Sequence, residues 1–428
     1  MAVSNLKIDF GKTTGRIKPI HGWNCAPYLG GEPGVDTQLF KYMKEASIPY
    51  SRLHDVGFFN PHMVDIPGIF PDFDADETDP ASYDFTFTDL LVTALKEFGA
   101  EPFYRLGISI ENAANIKAYH VLPPRDYEKW ARISEHIIRH YNEGWANGFT
   151  LGIRYWELWF EPDVYFDPNN IAQTWHGTRE SYFSFYDIVS KHLKKVFGDS
   201  IQVGGYAGMG FKEHQLWDPE LNGVDPCNLT LENRWAYRID YFHKFLQYVR
   251  EHDCPLDFYS WHAYSGPKDV LSRADYCRRI LNKYGFEHTP DFLDEWNTIT
   301  KDNSARELEK TAADTLAMLI GLQKSGVSLA CYYIAAVGSS VYHGIISPSD
   351  FKPYKTYFAF KSFGRRYELG EEVAAQSDDE DLFVLGARNE QEGVILLANI
   401  SDTSREVNLN IIGANADTAP VILTDKHF

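Results

Sequence analysis

Apolar residues along this chain recur with two periods in turn, every second residue over short runs and every third or fourth residue over longer ones. That succession predicts strands alternating with helices. Strands are expected at Ile20 to Cys25, Ile48 to His54 and Glu101 to Gly107. Between them fall a helix with Asp36 as N-cap and Leu39, Phe40 and Met43 on its apolar face, and a helix from Thr86 to Phe98. A helix from Arg125 to Tyr141, with Trp130, Ile133, Ile137 and Ile138 inward, delivers the chain to an aromatic run, Tyr155 to Asp163. The alternation continues through helix 180 to 197, strand Ile201 to Gly205, helix Ala236 to Arg250 and strand Leu256 to Tyr264. It closes with helix Asp269 to Lys283, strand Asp291 to Glu295, helix Arg306 to Lys324 and strand Leu329 to Ala335. Eight strand–helix units over roughly 320 residues predict an α/β chain folded as a (β/α)₈ TIM barrel with long insertions.

The two ends of the chain read differently. Val3, Leu6, Ile8 and Phe10 predict a strand before the repeat, ending at Gly11. After a helix from Tyr354 to Phe363 come short apolar runs at Leu382 to Gly386, Gly393 to Asn399, Glu406 to Ile411 and Pro420 to Leu423, with turn residues between them. These predict a small accessory antiparallel β-sandwich that takes in both termini. The expected division is a barrel over residues 15–350 and a sandwich over 1–14 plus 351–428, parted where Ser347-Pro348-Ser349-Asp350 breaks the pattern.

Within this scheme two glutamates are singled out by position. The alternation of Tyr155 to Glu161 is stopped by Pro162, which cannot donate to a ladder, so Glu161 is expected at the carboxyl end of the fourth strand. Phe292 to Thr298 repeats the design and places Glu295 at the end of the seventh. Reacting groups of barrel enzymes gather at that end of the strands. Two carboxyls facing one pocket are what glycoside hydrolysis uses: one as acid/base, the other as nucleophile in a retaining enzyme. Two strand-end glutamates in salt bridges are the plain alternative for either one alone, and the matched placement argues against it.

Charge and composition narrow the partners. Sixty acidic against 41 basic residues give a net charge of −19, which disfavours nucleic acid or an anionic membrane surface. An aromatic content of 15%, with 10 Trp, suits a sugar ligand that stacks on rings. Trp23, Trp159, Trp261, Trp296 and Tyr333 are candidate stacking platforms, with about half expected in the core instead. Asp163 and Asp294 flank the two glutamates and read as solvated strand-end carboxylates. His262 is expected to hydrogen-bond rather than bind metal, and the acidic stretch Asp72 to Glu77 to be an exposed loop rather than a calcium site. Cys25, Cys227, Cys254, Cys277 and Cys331 are widely spaced and contain no CxxC pair, so neither a zinc nor a disulfide framework is expected. The N-terminus lacks an apolar run of signal-peptide length, and the chain is expected to be soluble and cytoplasmic, with no membrane partner, no cofactor and no metal. Assembly into a homo-oligomer is left open.

The segments Tyr155 to Asp163, Pro123-Pro124-Arg125-Asp126-Tyr127-Glu128-Lys129-Trp130, Phe258 to Tyr264 and Phe292 to Thr298 resemble the family 39 glycoside hydrolases, the group of β-xylosidases and α-L-iduronidase. The resemblance runs in matching order over most of residues 17 to 365. It implies that Glu161 is the acid/base and Glu295 the nucleophile, and it places Arg52, His54, His262 and Tyr264 among the residues that bind substrate, a small glycoside or oligosaccharide. Trp23, Trp296 and Tyr333 join them as stacking candidates.

One departure bears on recognition. Phe160 stands where the family pattern has an Asn that donates to the 2-hydroxyl of the sugar. Either the donor comes from elsewhere or the reactive sugar differs at that hydroxyl. A second departure is Ala335 to Ser340, which lacks the acidic residues xylosidases of the family carry there. The expectation is therefore a retaining, β-xylosidase-like glycosidase, with an arabinoside, galactoside or glucoside as alternative glycone. The alternative from another class is a carbohydrate-binding protein with little turnover.

Overall fold

The computed structural model describes residues 3–27, 37–56, 64–109, 122–164, 174–218, 234–298, 309–335, 344–347, 349–414 and 420–421. Strand β1, Val3–Arg16, precedes the barrel. The barrel strands are β2 (Gly22–Asn24), β3 (Tyr50–Leu53), β4 (Glu101–Leu106), β5 (Tyr155–Leu158), β6 (Gln202–Gly208), β7 (Phe258–Tyr264), β8 (Asp291–Asn297) and β9 (Val327–Tyr332). They close in sequence order, β9 returning to β2. A helix follows each in turn: α1 (Lys41–Glu45), α2 (Thr86–Glu97), α3 (Tyr127–Glu143), α4 (Arg179–Phe197), α5 (Arg234–Glu251), α6 (Pro267–Lys283), α7 (Glu309–Lys324) and α8 (Lys355–Leu369). The expected (β/α)₈ barrel is thus present. The proposed N-cap Asp36 and the stretch 336–340 lie outside the described residues, as do Ile422 and Leu423 of the last expected strand.

Helix starts follow the local chemistry. Asp126 accepts from the Lys129 amide at 2.8 Å to cap α3, and Thr178 accepts from the Ser181 amide at 3.1 Å to cap α4. The block that begins at Pro123 also clamps the acidic loop: Lys129 Nζ reaches Ala75 O at 2.6 Å and Glu77 at 3.3 Å, and Arg125 pairs with Asp74. Those contacts tie the loop to α3. Gly364 in α8 lets the helix approach the end of α1, because a Cβ there would stand 1.9 Å from the carbonyl oxygen of Ala46. Gly364→Ala is expected to destabilise the fold by about 1–3 kcal/mol through overpacking, read as a fall in the denaturant midpoint.

Inside the barrel the period of two sorts side chains into layers. Phe103, Phe258, Phe292, Leu329 and Cys331, with Tyr50 and Tyr155 against them, form an apolar floor. Two residues further along the strands come Arg52, Arg105, Glu157, Ser260 and Asp294, all fully buried. Another step up lie His54 and His262, so polarity rises toward the carboxyl ends of the strands.

The accessory sheet has the order β12-β11-β10-β1-β13, with β10 (Glu371–Ser377), β11 (Leu382–Arg388), β12 (Gly393–Asn399) and β13 (Glu406–Ile412). Its pairings are antiparallel except β1 with β13, which run parallel. Among the described residues it is a single sheet. Strand β10 was not expected: Glu-Glu-Val-Ala-Ala-Gln-Ser carries only Val373 and Ala375 as buried apolar positions, too few to mark a strand. No helix among the described residues is long and apolar enough to cross a membrane, and Cys25, Cys254, Cys277 and Cys331 are buried, with no disulfide among them.

Candidate active site

The ladder of β5 ends at Leu158, three residues before the expected end at Glu161. Trp159 and Glu161 adopt left-handed backbone, φ 72° and 42°, so the chain leaves the regular strand while still attached to its neighbours. The Trp159 amide donates to Leu106 O and the Glu161 amide to Ala207 O, each at 3.0 Å. This irregular exit aims the Glu161 carboxyl at β7. A second irregularity sits opposite: the register between β7 and β8 shifts after Trp261–Leu293, so His262 pairs with Glu295 and Asp294 is the extra residue. A bulge of this kind re-aims side chains. Here it lets the consecutive Asp294 and Glu295 both reach Arg52, at 3.0 and 3.1 Å.

The two glutamates meet across His262. One oxygen from each and a ring nitrogen of the histidine all lie within 4.8 Å of one another, and Glu161 and Glu295 are 5% and 4% exposed. His262 Nδ1 is 2.7 Å from Glu161 Oε1 and 3.8 Å from Glu295 Oε1, while its Nε2 is 3.3 Å from Asp294 Oδ2. Tyr264 Oη donates to Glu295 Oε1. Burial opposes a charge on His262, yet Glu295, Asp294 and Glu161 outweigh it and hold the ring well above the ordinary histidine range. Burial pushes Glu295 up, and the charge of Glu161 adds to this against the pull of His262, Arg52 and Tyr264. The spacing of these three groups would also suit a divalent ion, but both histidine nitrogens already face carboxylates, which is how a hydrogen-bond relay is built.

Arg52 anchors the Glu295 side. Its Nε and Nη2 contact Glu157 Oε2 at 2.8 and 2.6 Å, and Nη1 reaches both Glu295 Oε2 and Asn24 Oδ1 at 3.1 Å. Burial works against its charge, but Asp294, Glu157 and Glu295 raise its pKa beyond the usual value. Asn24 also donates to Asp294 O at 2.7 Å. Burial lifts Glu157 to about 8 despite Arg52, and Asp294 adds to the rise. Arg52 and His262 hold Asp294 below its ordinary value against burial, so the two neighbouring carboxyls are driven in opposite directions. Asp163 is likewise raised, to about 7, by burial and the nearby Glu161, offset by Arg238. Both flanking aspartates are buried, 1% and 0% exposed, and the expectation of solvated carboxylates is overturned.

Of the remaining sequence candidates, Tyr333 stays at the site, donating from Oη to Asp55 Oδ2 at 2.9 Å beside Tyr264. Phe160 lies with its ring 4.0 Å from that of His54 and 5.5 Å from that of His262. Trp23 and Trp296 do not reach the pocket: both are 0% exposed and pack on Phe360 of α8, on the outer face of the barrel. Their strand positions fall out of phase with Asn24 and Glu295, which explains the correction. Trp159 is buried against Trp130 and Trp175, and Trp261 against Phe211. The sequence reading missed Asn24, Asp55 and Glu157. The signal for Glu157 was its place two residues after Tyr155 on the inward phase.

A raised acid stabilises the fold most when protonated. Glu157 therefore contributes fully below about 4.5 and loses that contribution as pH rises toward about 8; Asp163 acts in the same direction up to about 7. Stability is expected to fall between about pH 5 and about pH 8, and Glu157→Gln, neutral throughout, to flatten the fall in denaturant titrations at the two pH values.

A closed parallel barrel with two buried glutamates converging at the carboxyl ends of its strands defines a glycosidase-type site. The family model of "Glycosyl hydrolases family 39" matches residues 7–337, and the chain belongs to that family. It is similar to a beta-xylosidase of Caldicellulosiruptor saccharolyticus, 23% identical over 93% of this chain and 79% of the relative. A beta-xylosidase of Geobacillus stearothermophilus is 24% identical over 55% of this chain, an alignment that spans only 45% of that relative's length. Among solved structures, a glucosidase from Croceicoccus marinus superposes with a TM-score of 0.74 at 25% identity, over 93% of this chain and 79% of that one.

Proposed function

We propose that this protein is a retaining glycoside hydrolase that removes a non-reducing-end sugar from a small glycoside or oligosaccharide, with β-xylosides as the first substrate class. The observation that carries this reading is the approach of Glu161 and Glu295 to within 4.8 Å through their nearest oxygens. Retaining enzymes hold their carboxyls about 5–5.5 Å apart, whereas inverting ones leave about 6.5–9.5 Å for a water. Glu295, held by Arg52 and Tyr264, attacks the anomeric carbon as Glu161 gives its proton to the leaving oxygen. A glycosyl-enzyme forms on Glu295. Glu161, now a carboxylate, takes a proton from water, whose oxygen displaces Glu295 and restores the original configuration. His262 Nδ1 bonds to Glu161 at 2.7 Å and stands 3.8 Å from Glu295, so a charge on the ring acts on both carboxylates.

The β-xyloside assignment is supported by the two beta-xylosidases above. A glucoside is the second reading, favoured by the similar glucosidase structure and by the phenyl ring of Phe160 beside Glu161. A panel of aryl β-xylosides, β-glucosides, β-galactosides and both arabinoside ring forms tests these. Turnover of one glycone with retention, followed by NMR of the first-formed sugar, supports the proposal and names the substrate. Sugar binding without turnover of any member would favour the carbohydrate-binding alternative.

A further inference from the structure

On the Glu161 side of the pocket stands an arginine that the fold leaves unpaired. Arg234, Trp235 and Arg238 lie in the first turns of α5, and Lys212 follows the end of β6, so all four belong to the rim where the reacting groups of barrel enzymes collect. Arg238 is only 6% exposed, yet its Nε meets no acceptor, and among the described residues no carboxylate comes within ion-pair distance of it. Its guanidinium lies over the ring of Trp235, 4.3 Å from the centroid. Lys212 Nζ and the Arg234 guanidinium converge on the same ring, at 5.9 and 6.0 Å. A ring face steadies a cation but takes none of its N–H bonds. An enclosed charge without a counter-ion is costly, and gathering like charges around it adds to the cost. A chain of net charge −19 has carboxylates to spare, and the fold brings none of them into contact with Arg238.

Asp163 and Glu161 are the acids that feel this arginine. Burial lowers its pKa, and their charges offset the fall only in part, with Arg234 working against them. Asp163 is committed elsewhere, since both of its oxygens accept from the Met209 amide at 3.1 Å. The groups that act most strongly on Glu295 are His262, Glu161, Arg52 and Tyr264, so Arg238 belongs to the acid's side of the pocket. In the mechanism above Glu161 protonates the leaving oxygen, and the leaving group therefore extends past Glu161 while the glycone stays over Glu295. We propose that Arg238, stacked on Trp235, binds a carboxylate carried by the leaving group, so that the enzyme prefers glycosides of acidic aglycones such as uronic acids. The planar fork of a guanidinium matches a carboxylate with two parallel bonds. This rests on the assignment of Glu161 as the acid.

The test places the active glycone on two phenols of equal leaving ability, 4-(carboxymethyl)phenol and its neutral amide, and on the 3-substituted pair, which moves the carboxylate. Wild type is expected to favour the acid over the amide about tenfold in kcat/KM in at least one pair, through KM, because the contact is made alike in ground and transition states. Arg238→Gln is expected to bring that ratio below about twofold, and Arg238→Lys, which keeps the charge without the fork, to leave about threefold. Equal rates on acid and amide in both pairs, or a preference that survives Arg238→Gln, overturns the proposal while leaving the glycosidase reading in place. Thermal unfolding checks that Arg238→Gln folds; if it does not, Arg238→Lys decides, and a ratio unchanged from wild type overturns the proposal. If wild type cleaves none of the four, the glycosidase reading fails, and calorimetry with glucuronate and glucose decides the rest. Glucuronate binding that exceeds that of glucose and disappears in the Arg238 variant supports the carboxylate site, and equal binding of the two sugars, or binding that the variant keeps, overturns it.

Discussion

Glu295→Ala is expected to fold and to lose turnover of the best glycoside by about 10⁴-fold or more, because the proposed mechanism forms the glycosyl-enzyme on this carboxylate. Arg52 keeps Glu157 and Asp294 as partners, and His262 keeps Glu161 and Asp294, so the fold loses little when this one carboxylate goes. Glu161→Ala should behave differently. A reactive aryl leaving group needs little protonation, so the first step survives in part while hydrolysis of the intermediate stalls. Azide then attacks the intermediate on the face vacated by Glu161 and gives a glycosyl azide of the starting configuration, detectable by NMR. Steady-state rates with and without azide separate the two roles. Equal activity in wild type and both variants would reject the pair.

Arg52→Ala should give the largest loss of stability, about 3–5 kcal/mol. The guanidinium contacts Glu157, Asp294 and Glu295 within 3.1 Å, and all four side chains are buried. Removing the cation leaves carboxyls in the barrel interior that must take up protons or remain uncompensated. The deficit should shrink at low pH, where protonation relieves it, so denaturant titrations across pH distinguish lost charge from lost packing. A loss below about 1 kcal/mol would mean that the carboxyls are already neutral.

The barrel was legible because burial on both sides of each strand and on one face of each helix leaves a strong period in the sequence. Gly393–Asn399 coincides with its expected span, and Thr86–Glu97 misses by one residue. The end of β5 was not legible. Pro162 marks where pairing must stop, but the left-handed turn at Trp159 stops the regular ladder sooner, and nothing in the residue type of a tryptophan announces positive φ. The bulge at Asp294 is equally silent, since an extra residue in a strand shows only against its neighbour. Glu161 and Glu295 could be picked out by their places at strand ends, and Arg52, His262 and Tyr264 through the family resemblance; the structure brings them together. The tryptophans could not be sorted, because stacking on a sugar and packing on a helix call for the same ring.

The accessory sheet sets an order on synthesis. Strand β1 lies between β10 and β13, and Ser4 bonds to Asp379 across 375 residues. At about 5–20 residues per second, β1 waits on the order of 20–75 s after leaving the ribosome for its partners. All eight barrel strands emerge before either partner, so the barrel can close first and tether β1 beside the place where β10 will arrive. Until then Leu6, Ile8 and Phe10 have no sheet to bury them. Among the described strands, β1 is thus the one that waits longest for its partners.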